Sequence, residues 1–380
     1  MIVSSLELRN FRNYEHANIS FNRGTTVLIG GNGEGKTNVA EALGFFATAR
    51  SFRGVHNEAL VRSGADEAIV RATIIHDDER EFLVEAQIPR AGRGKIQVNR
   101  KALSRTRDLF GVARVTVFSP DDLSIIKGSP SLRRDWLDDA IVALLPTKAT
   151  AIAEFERVLR QRNALLKEMG FRPSREQSAS LDAWDEAFVS AAAELDALRR
   201  TVLDDVRGEV IRAYEDLATE LSDVTIELDS DWRGVALPDA VRDARDDDMR
   251  RGSSTVGPHR DDIVITVHGL PTRVAASQGE QRTMALALRL AVHRAAAAVH
   301  GSPPILILDD VLSELDPQRS RALLEHVPDG QVVITTASPL PNAARWDDMW
   351  QVIGGTLTAV TLPRTHHVAG GTERAEANNE

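Results

Sequence analysis

Short apolar runs open the chain and long apolar stripes occupy its middle, so sheet is expected first and helix later. Leu6, Leu8 and Phe11 alternate with polar neighbours, Ile19 and Phe21 do the same, and Val27-Leu28-Ile29 forms an apolar run that ends in glycines. A Gly-rich loop and a helix over 38–49 follow. Residues 68–75 and 82–88 are rich in β-formers around the polar turn 76–80, and 115–118 reads as another short strand before Ser119-Pro120. From Pro146 the period changes. Ile152, Phe155, Leu159, Arg162, Leu166 and Met169 stand three and four apart, the spacing of one helical face. After the loop 170–178, with Pro173, the stripe Leu181, Trp184, Phe188, Ala191, Leu195, Leu198 and Val202 keeps a heptad period. Two such helices predict an antiparallel hairpin whose first member, about 24 residues long, spans roughly 36 Å. Three heptads suit two helices of a compact bundle equally well.

An acidic stretch over 239–252 is expected to be irregular. Strand character returns at 263–267, an Ala/Leu/Arg helix covers 280–299, and strands follow at 305–308 and 332–335. From Arg364 the composition turns to Gly, Glu and Asn, which predicts a disordered tail over 364–380. The expected architecture is α/β: a head with mixed β-sheets built from 1–147 and 253–363, with a helical arm, 148–252, inserted between them.

Composition removes several classes. Apolar residues are 42% and charged residues 27%, ordinary globular values that argue against a disordered or collagen-like chain. No run of about 18 apolar residues exists, and Glu7, Arg9 and Arg12 stand where a signal peptide needs an apolar core. Neither membrane spanning nor export is expected, and a cytoplasmic, nucleoid-associated protein fits. Zero Cys excludes disulfides, thiol nucleophiles and thiolate zinc sites. The net charge of -10 speaks against a generic nucleic-acid binder. Residues 1–147, however, hold 20 Lys and Arg against 18 Asp and Glu, a net of +2 that leaves -12 for the rest. Any anion-binding face therefore belongs mainly to the first part.

Gly30-Gly31-Asn32-Gly33-Glu34-Gly35-Lys36-Thr37 fits the P-loop pattern, with an apolar strand before it and a helical run from Asn38 after it. Backbone N–H groups of such a loop wrap the β-phosphate of ATP, Lys36 neutralises the β/γ oxygens, and the Thr37 hydroxyl joins a Mg²⁺ shell. Without nucleotide, Lys36 is expected to point into solvent. Ile305 to Leu308 is a buried strand ending in Asp309, assigned to the Mg²⁺ shell, and Asp310, assigned to the attacking water. Asp309 stands 273 positions after Lys36 with the helical hairpin between them, a longer gap than a small P-loop kinase needs. Ser277-Gln278-Gly279-Glu280-Gln281, just before a helix, resembles the signature motif of ABC-type ATPases. There the Ser hydroxyl, the Gly N–H and the helix dipole address a γ-phosphate held by the other protomer. Lys36, Asp310, Ser277 and Gly279 thus form the expected catalytic set, and Asp316 stands in the place of the D-loop that crosses a dimer interface.

For DNA, the run 87–107 carries Arg90, Arg93, Lys95, Arg100, Lys101, Arg105 and Arg107 with no acid and no aromatic. That suits sequence-independent phosphate contact, and a merely solvated hairpin face equally well. Arg133 and Arg134 could touch phosphate or pair with Asp135, Asp138 or Asp139. His259 has no second His at ligand spacing, so a metal role is not expected.

Further segments point one way: Leu8-Arg9-Asn10-Phe11-Arg12-Asn13-Tyr14, Phe118-Ser119-Pro120-Asp121-Asp122-Leu123, Gly128-Ser129-Pro130-Ser131-Leu132-Arg133-Arg134, Gly257-Pro258-His259-Arg260-Asp261-Asp262, and Leu308 to Asp316. With them the chain resembles, from Met1 to about Val360, the RecF proteins of bacterial recombination repair, relatives of SMC heads. The resemblance implies an ATP-dependent homodimer on double-stranded, gapped or single-strand/double-strand junction DNA. It also implies slow DNA-stimulated hydrolysis and work with RecO and RecR in loading RecA during the response to DNA damage. Arg12 and Asn38 join the ATP site by the same resemblance. Two features depart from transporter-type ATPases: Val332 to Thr336 offers only Thr where a switch His would stand, and Ser119 to Asp122 lies where a Q-loop glutamine would be sought. A metabolic P-loop kinase and an ABC transporter ATPase subunit are the alternatives.

Overall fold

The computed structural model describes residues 1–103, 106–169, 174–341 and 344–360. The expected tail, Arg105 and part of the 170–178 loop lie outside the described residues.

The chain begins with the hairpin β1 (Ile2–Phe11) and β2 (Tyr14–Ser20), then β3 (Thr25–Ile29), the glycine loop and helix α1 (Lys36–Thr48). A short α2 (Asn57–Leu60) leads to β4 (Glu67–Ile75), β5 (Glu81–Pro89), β6 (Lys95–Val98), β7 (Lys101–Ala102) and β8 (Val115–Phe118). Helices α3 (Leu123–Lys127), α4 (Pro130–Leu144), α5 (Ala149–Met169) and α6 (Arg175–Ala218) precede β9 (Val224–Asp229), α7 (Leu237–Asp243) and α8 (Arg245–Arg251). Then come β10 (Asp262–Val267), β11 (Leu270–Pro271), α9 (Thr272–Ala275), α10 (Gln278–His300), β12 (Ile305–Asp309), α11 (Pro317–Glu325), β13 (Val332–Thr336), β14 (Asp348–Ile353) and β15 (Thr356–Ala359).

Two six-stranded sheets differ in character. The antiparallel sheet β2-β1-β4-β5-β6-β7 alternates: Ala68, Val70, Ala72 and Ile74 of β4 turn inward and their neighbours outward. In the other sheet, β15-β14-β3-β13-β12-β8, the central strands β3, β13 and β12 run parallel and their residues are buried on both faces, as helix-covered parallel strands must be. Ile305, Ile307 and Val333 face a core shared with α1 and the antiparallel sheet, whereas Leu306, Leu308 and Ile334 face a core shared with α4, α6 and α10. The parallel sheet is thus a middle layer, and the glycine loop emerges at its C-terminal edge, where open α/β sheets bind ligands.

The hairpin α5/α6 forms as the period predicts, but α6 is 44 residues long, about 66 Å, and does not end near Val202. Its second half carries Val206, Val210, Ala213, Tyr214 and Leu217 into the main core against α10. The arm is therefore continuous with the head, and the expected boundary at 252/253 passes between β9 and β10, which pair over six residues. The stretch 239–252 is largely helical, because its acids sit in the first turns of α7 and α8 with arginines three residues on, which corrects the expectation of irregular chain.

Buried and half-buried arginines tie the arm and the two parts of the head together. Arg162, a heptad position with no exposed surface, bonds Asp185 at 2.8 Å, Asp248 at 2.7 Å and Ser254 at 2.7 Å. Arg199 forks onto Asp138 (2.8 and 2.8 Å) and reaches the Pro258 carbonyl. Arg133 forks onto Asp262 (2.6 and 2.9 Å), and Arg134 donates to the Asp261 carbonyl at 2.6 Å. Both arginines of the Arg133-Arg134 pair thus serve the structure, through Asp261 and Asp262 rather than through Asp135, Asp138 or Asp139.

Candidate nucleotide site

The glycine loop folds because its glycines permit what side chains would block. Gly35 caps α1 at φ 120°, and a Cβ there would lie 2.7 Å from the Asn13 amide and 2.9 Å from the Tyr14 hydroxyl. Asn13 and Tyr14 hold the loop from outside. Asn13 donates to the Glu34 carbonyl at 2.9 Å and accepts from Asn38 at 2.8 Å, and buried Tyr14 donates to the Gly35 carbonyl at 3.1 Å. The turn between β14 and β15 closes on the same loop, with the Gly354 N–H on the Glu34 carboxylate and the Gly355 N–H on its carbonyl at 3.0 Å. Gly31, Asn32 and Gly33 remain exposed at the tip. Gly30 donates to the Thr336 carbonyl on β13.

Lys36 does not point into solvent. It is 6% exposed, and its ammonium donates to the carbonyls of Gly30 at 2.9 Å and Gly31 at 2.8 Å. An ammonium beside two carbonyls that can satisfy it has no reason to swing outward. Arg12 is engaged as well: it forks onto fully buried Glu41 of α1 (2.7 and 2.8 Å) and donates to the Ala59 carbonyl at 2.9 Å. Ser51 also donates to Glu41.

Across 272 positions of sequence, the Thr37 hydroxyl donates to Asp309 Oδ1 at 2.9 Å. The Thr335 hydroxyl donates to the same oxygen at 2.7 Å. Burial pushes the Asp309 carboxyl above the usual range, against the two hydroxyl bonds that lower it. A cation would relieve that burden, and the donors are hard oxygens, as Mg²⁺ requires. Among the described residues no cluster of three or more His, Asp or Glu is placed to hold a metal by itself. Asp310 follows in the left-handed region (φ 51°), and its Oδ1 is buried without a partner. A buried carboxylate oxygen without a partner is costly and marks Asp310 as a candidate functional group.

The signature segment forms an N-terminus. Ser277 caps α10 in a reciprocal box: its hydroxyl accepts from the Glu280 N–H at 3.3 Å and its N–H donates to the Glu280 carboxylate at 2.7 Å. The Ser277 bond holds the Glu280 carboxyl below its ordinary range. Ser277 and Gln278 are exposed, while Gly279 lies against the Arg319 guanidinium. Gln281 turns inward and donates to the carbonyls of Thr272 and Arg273. Asp316 is exposed and caps α11, and the N–H donors of Arg319 and Gln318 keep its carboxyl low. Among the described residues no hydrogen bond joins Ser277, Gln278 or Asp316 to the glycine loop of the same chain. Ser119 and Asp122 make a capping box of their own, and Asp122 pairs with Arg289 at 2.9 Å.

Of the basic run, Arg93, Lys95, Arg100 and Lys101 are exposed and carry no ion pair among the described residues. Arg90 differs, since it bonds the carbonyls of Arg62 at 2.7 Å and Ala65 at 3.0 Å. A cavity of about 490 Å³ lies elsewhere, against β8 between α1, α4 and α10, and none of Gly30 to Asn38 lines it. Sequence reasoning assigned no role to Asn13, Tyr14, Glu41 or Thr335. Their partners are distant along the chain, and only the neighbouring apolar pattern hinted that Thr335 would be buried.

The model for the RecF/RecN/SMC N terminal domain matches residues 2–352. The DNA replication and repair protein RecF of Streptomyces avermitilis is 38% identical over 374 residues, covering 95% of this chain and 98% of that protein. Its counterpart from Cutibacterium acnes is 37% identical over 389 residues, covering 94% and 98%. The solved ATP-bound form of the recombination mediator protein RecF of the RecFOR pathway superposes with a TM-score of 0.85 at 28% identity, over 94% of this chain and 97% of that one. The Smc head domain of Pyrococcus furiosus shares the fold, with a TM-score of 0.55 at 18% identity over 95% and 96%. Relatives more than a third identical along nearly the whole chain, a family model that spans its ATPase core, and a glycine loop joined to an acid-ended strand through Thr37 and Asp309 place the chain in the RecF family.

Proposed function

We infer that the protein is a magnesium-dependent ATPase of DNA replication and recombinational repair, in which ATP closes two copies around shared nucleotides on DNA and hydrolysis reopens them. The observation that carries the reading is the Thr37–Asp309 bond, which unites the loop and the acid-ended strand into one site. Mg²⁺ bound with ATP neutralises phosphate charge there. Lys36 would exchange the carbonyls of Gly30 and Gly31 for phosphate oxygens, Thr37 and Asp309 would hold the ion, and Asp310 would orient water. Ser277, exposed at the N-terminus of α10, and half-buried Gly279 beside it serve the nucleotide of the second copy, so neither copy has a complete site alone. The family assignment displaces the kinase and transporter alternatives. Among the described residues no helix is long and apolar enough to cross a membrane. Gapped or junction DNA as the platform, slow DNA-stimulated turnover and assistance to RecA loading with RecO and RecR complete the reading. The relatives' role in replication and repair and the RecFOR setting of the solved homologue support it.

Size-exclusion chromatography with light scattering, with and without ATP and gapped DNA, tests it. The wild type is expected to dimerise with ATP, and Asp310→Asn to accumulate as the dimer, since Asn tolerates the left-handed backbone at 310. Ser277→Arg is expected to stay monomeric while binding ATP normally. A Ser277→Arg chain that loses ATP binding itself would place Ser277 in its own site and sink the shared-site scheme.

A further inference from the structure

Thr335 lies on β13 between the strand that launches the glycine loop and the strand that ends in the acids. Its backbone is in register with Leu28 of β3 on one side and Asp309 of β12 on the other. The residue has no exposed surface. A hydroxyl in so apolar a layer is costly unless fully bonded, and this one is used twice. Asp310 N–H donates to it at 2.9 Å, and it donates to Asp309 Oδ1 at 2.7 Å. The directions are forced: a backbone N–H only donates, so the single hydroxyl proton is left for the carboxylate.

Two consequences follow for the acids. Asp309 Oδ1 receives hydroxyl protons from both Thr37 and Thr335, which fixes the carboxylate about its last torsion. Asp310 takes up a left-handed backbone, a region that few non-glycine residues enter without local support. Its N–H is held there by the Thr335 hydroxyl and by the Thr335 carbonyl at 3.1 Å. The Asp310 Oδ1 is buried there without a hydrogen-bond partner.

We propose that Thr335 is a positioning residue for ATP hydrolysis: its hydroxyl sets the metal-shell acid Asp309 and the water-orienting acid Asp310 at once. This rests on the reading of the site as a magnesium-dependent ATPase. The hydroxyl is bonded to the Asp310 N–H and to Asp309 Oδ1 and acts through those two acids, in a strand where a switch His is absent.

The test compares full-length wild type, Thr335→Val and Thr335→Ser in three measurements: the Mg²⁺ concentration for half-maximal binding of a fluorescent ATP analogue, kcat and KM for ATP, and thermal stability without nucleotide. Thr335→Val keeps the volume and branching of Thr and removes the hydroxyl. Loss of an outer-shell partner of a ligand is expected to lower kcat about tenfold or more and to raise the Mg²⁺ midpoint several-fold. Analogue affinity in EDTA should stay within about twofold, because the loop and Lys36 are untouched. Thr335→Ser is expected to restore both properties. Wild-type kcat and Mg²⁺ midpoint in Thr335→Val would overturn the proposal, as would a Ser variant as impaired as Val, which would assign the effect to methyl packing. If Thr335→Val does not fold, Thr335→Cys, with its weak S–H donor, decides by the same criteria. A wild type that turns over no ATP refutes the hydrolysis reading alone, and the Mg²⁺ midpoint of binding still decides Thr335.

Discussion

Lys36 shows how local chemistry sets a side chain before any ligand arrives. Its ammonium bridges the carbonyls of Gly30 and Gly31, so the loop is pinned by the same group that the proposed site turns to nucleotide. Lys36→Ala removes a charged donor worth about 1.5–3 kcal/mol to a bonded partner. ATP affinity should fall at least tenfold by isothermal titration. The thermal midpoint should move little, because Gly31 is exposed and its carbonyl can turn to water. Unchanged ATP affinity would refute the P-loop assignment. Arg12 illustrates the opposite limit: the resemblance places it with ATP, and in this structure its guanidinium is spent on Glu41 and Ala59.

Among elements, the junction of α5, α6 and the 257–262 loop carries a dependence on pH. His259 packs against Phe155 and Phe188, its Nε2 bonded to the Ser254 carbonyl at 3.0 Å and its Nδ1 buried without a partner. Burial lowers its pKa from 6.5 to about 4, with Arg260 and Arg134 adding to the effect and the Ser254 bond and Asp248 opposing it. As pH falls below about 6.5 the unfolded chain takes up a proton that the folded chain refuses until about pH 4. The stability conferred by neutral His259 is therefore complete above pH 6.5 and shrinks steadily down to pH 4. Urea unfolding of wild type and His259→Gln across that window should show the gap between them narrowing with acid. A gap of constant size would mean that His259 titrates alike in both states.

At the scale of the molecule, a chain of net charge -10 is proposed to hold DNA, and the resolution lies in where the charge sits. Arg93, Lys95, Arg100 and Lys101 stand exposed on consecutive hairpins at the edge of the antiparallel sheet, β6 and β7 being joined by a two-residue turn with Asn99 and Arg100 at positive φ. Arg90 holds carbonyls instead and is omitted from the test. Neutralising Arg93, Lys95 and Arg100 together should weaken binding of the ATP-bound protein equally across DNA sequences. The log-log salt slope should shrink by about 2 to 3, at roughly 0.9 per phosphate contact. A triple variant with the wild-type slope and affinity would reduce these hairpins to a solvated face.

Much of this was legible along the chain because it depends on neighbours in sequence. The P-loop is a strand, a glycine turn and a helix in succession. The acid-ended strand announces itself by four apolar residues before Asp309 and Asp310. Heptad spacing marked α5 and the first half of α6, and apolar positions three and four apart continue through Val206, Val210, Ala213 and Leu217 after three successive four-residue steps from Leu198 that break the strict heptad. Periodicity alone did not decide that those later turns belong to the head, since a stripe reports a buried face but not what buries it. Tertiary structure decided the rest. Thr335 reads as an ordinary strand residue until β13 is placed beside β12, and Arg133 and Arg134 have acids nearby in sequence yet bond at Asp262 and Asp261. A parallel sheet brings strands together through long crossovers, so its registers are set by packing of whole layers rather than by any local turn. Sequence by itself determined the parts of the site that neighbouring residues can build, and only the packed sheet determined which distant hydroxyl, carbonyl or carboxylate completes each one.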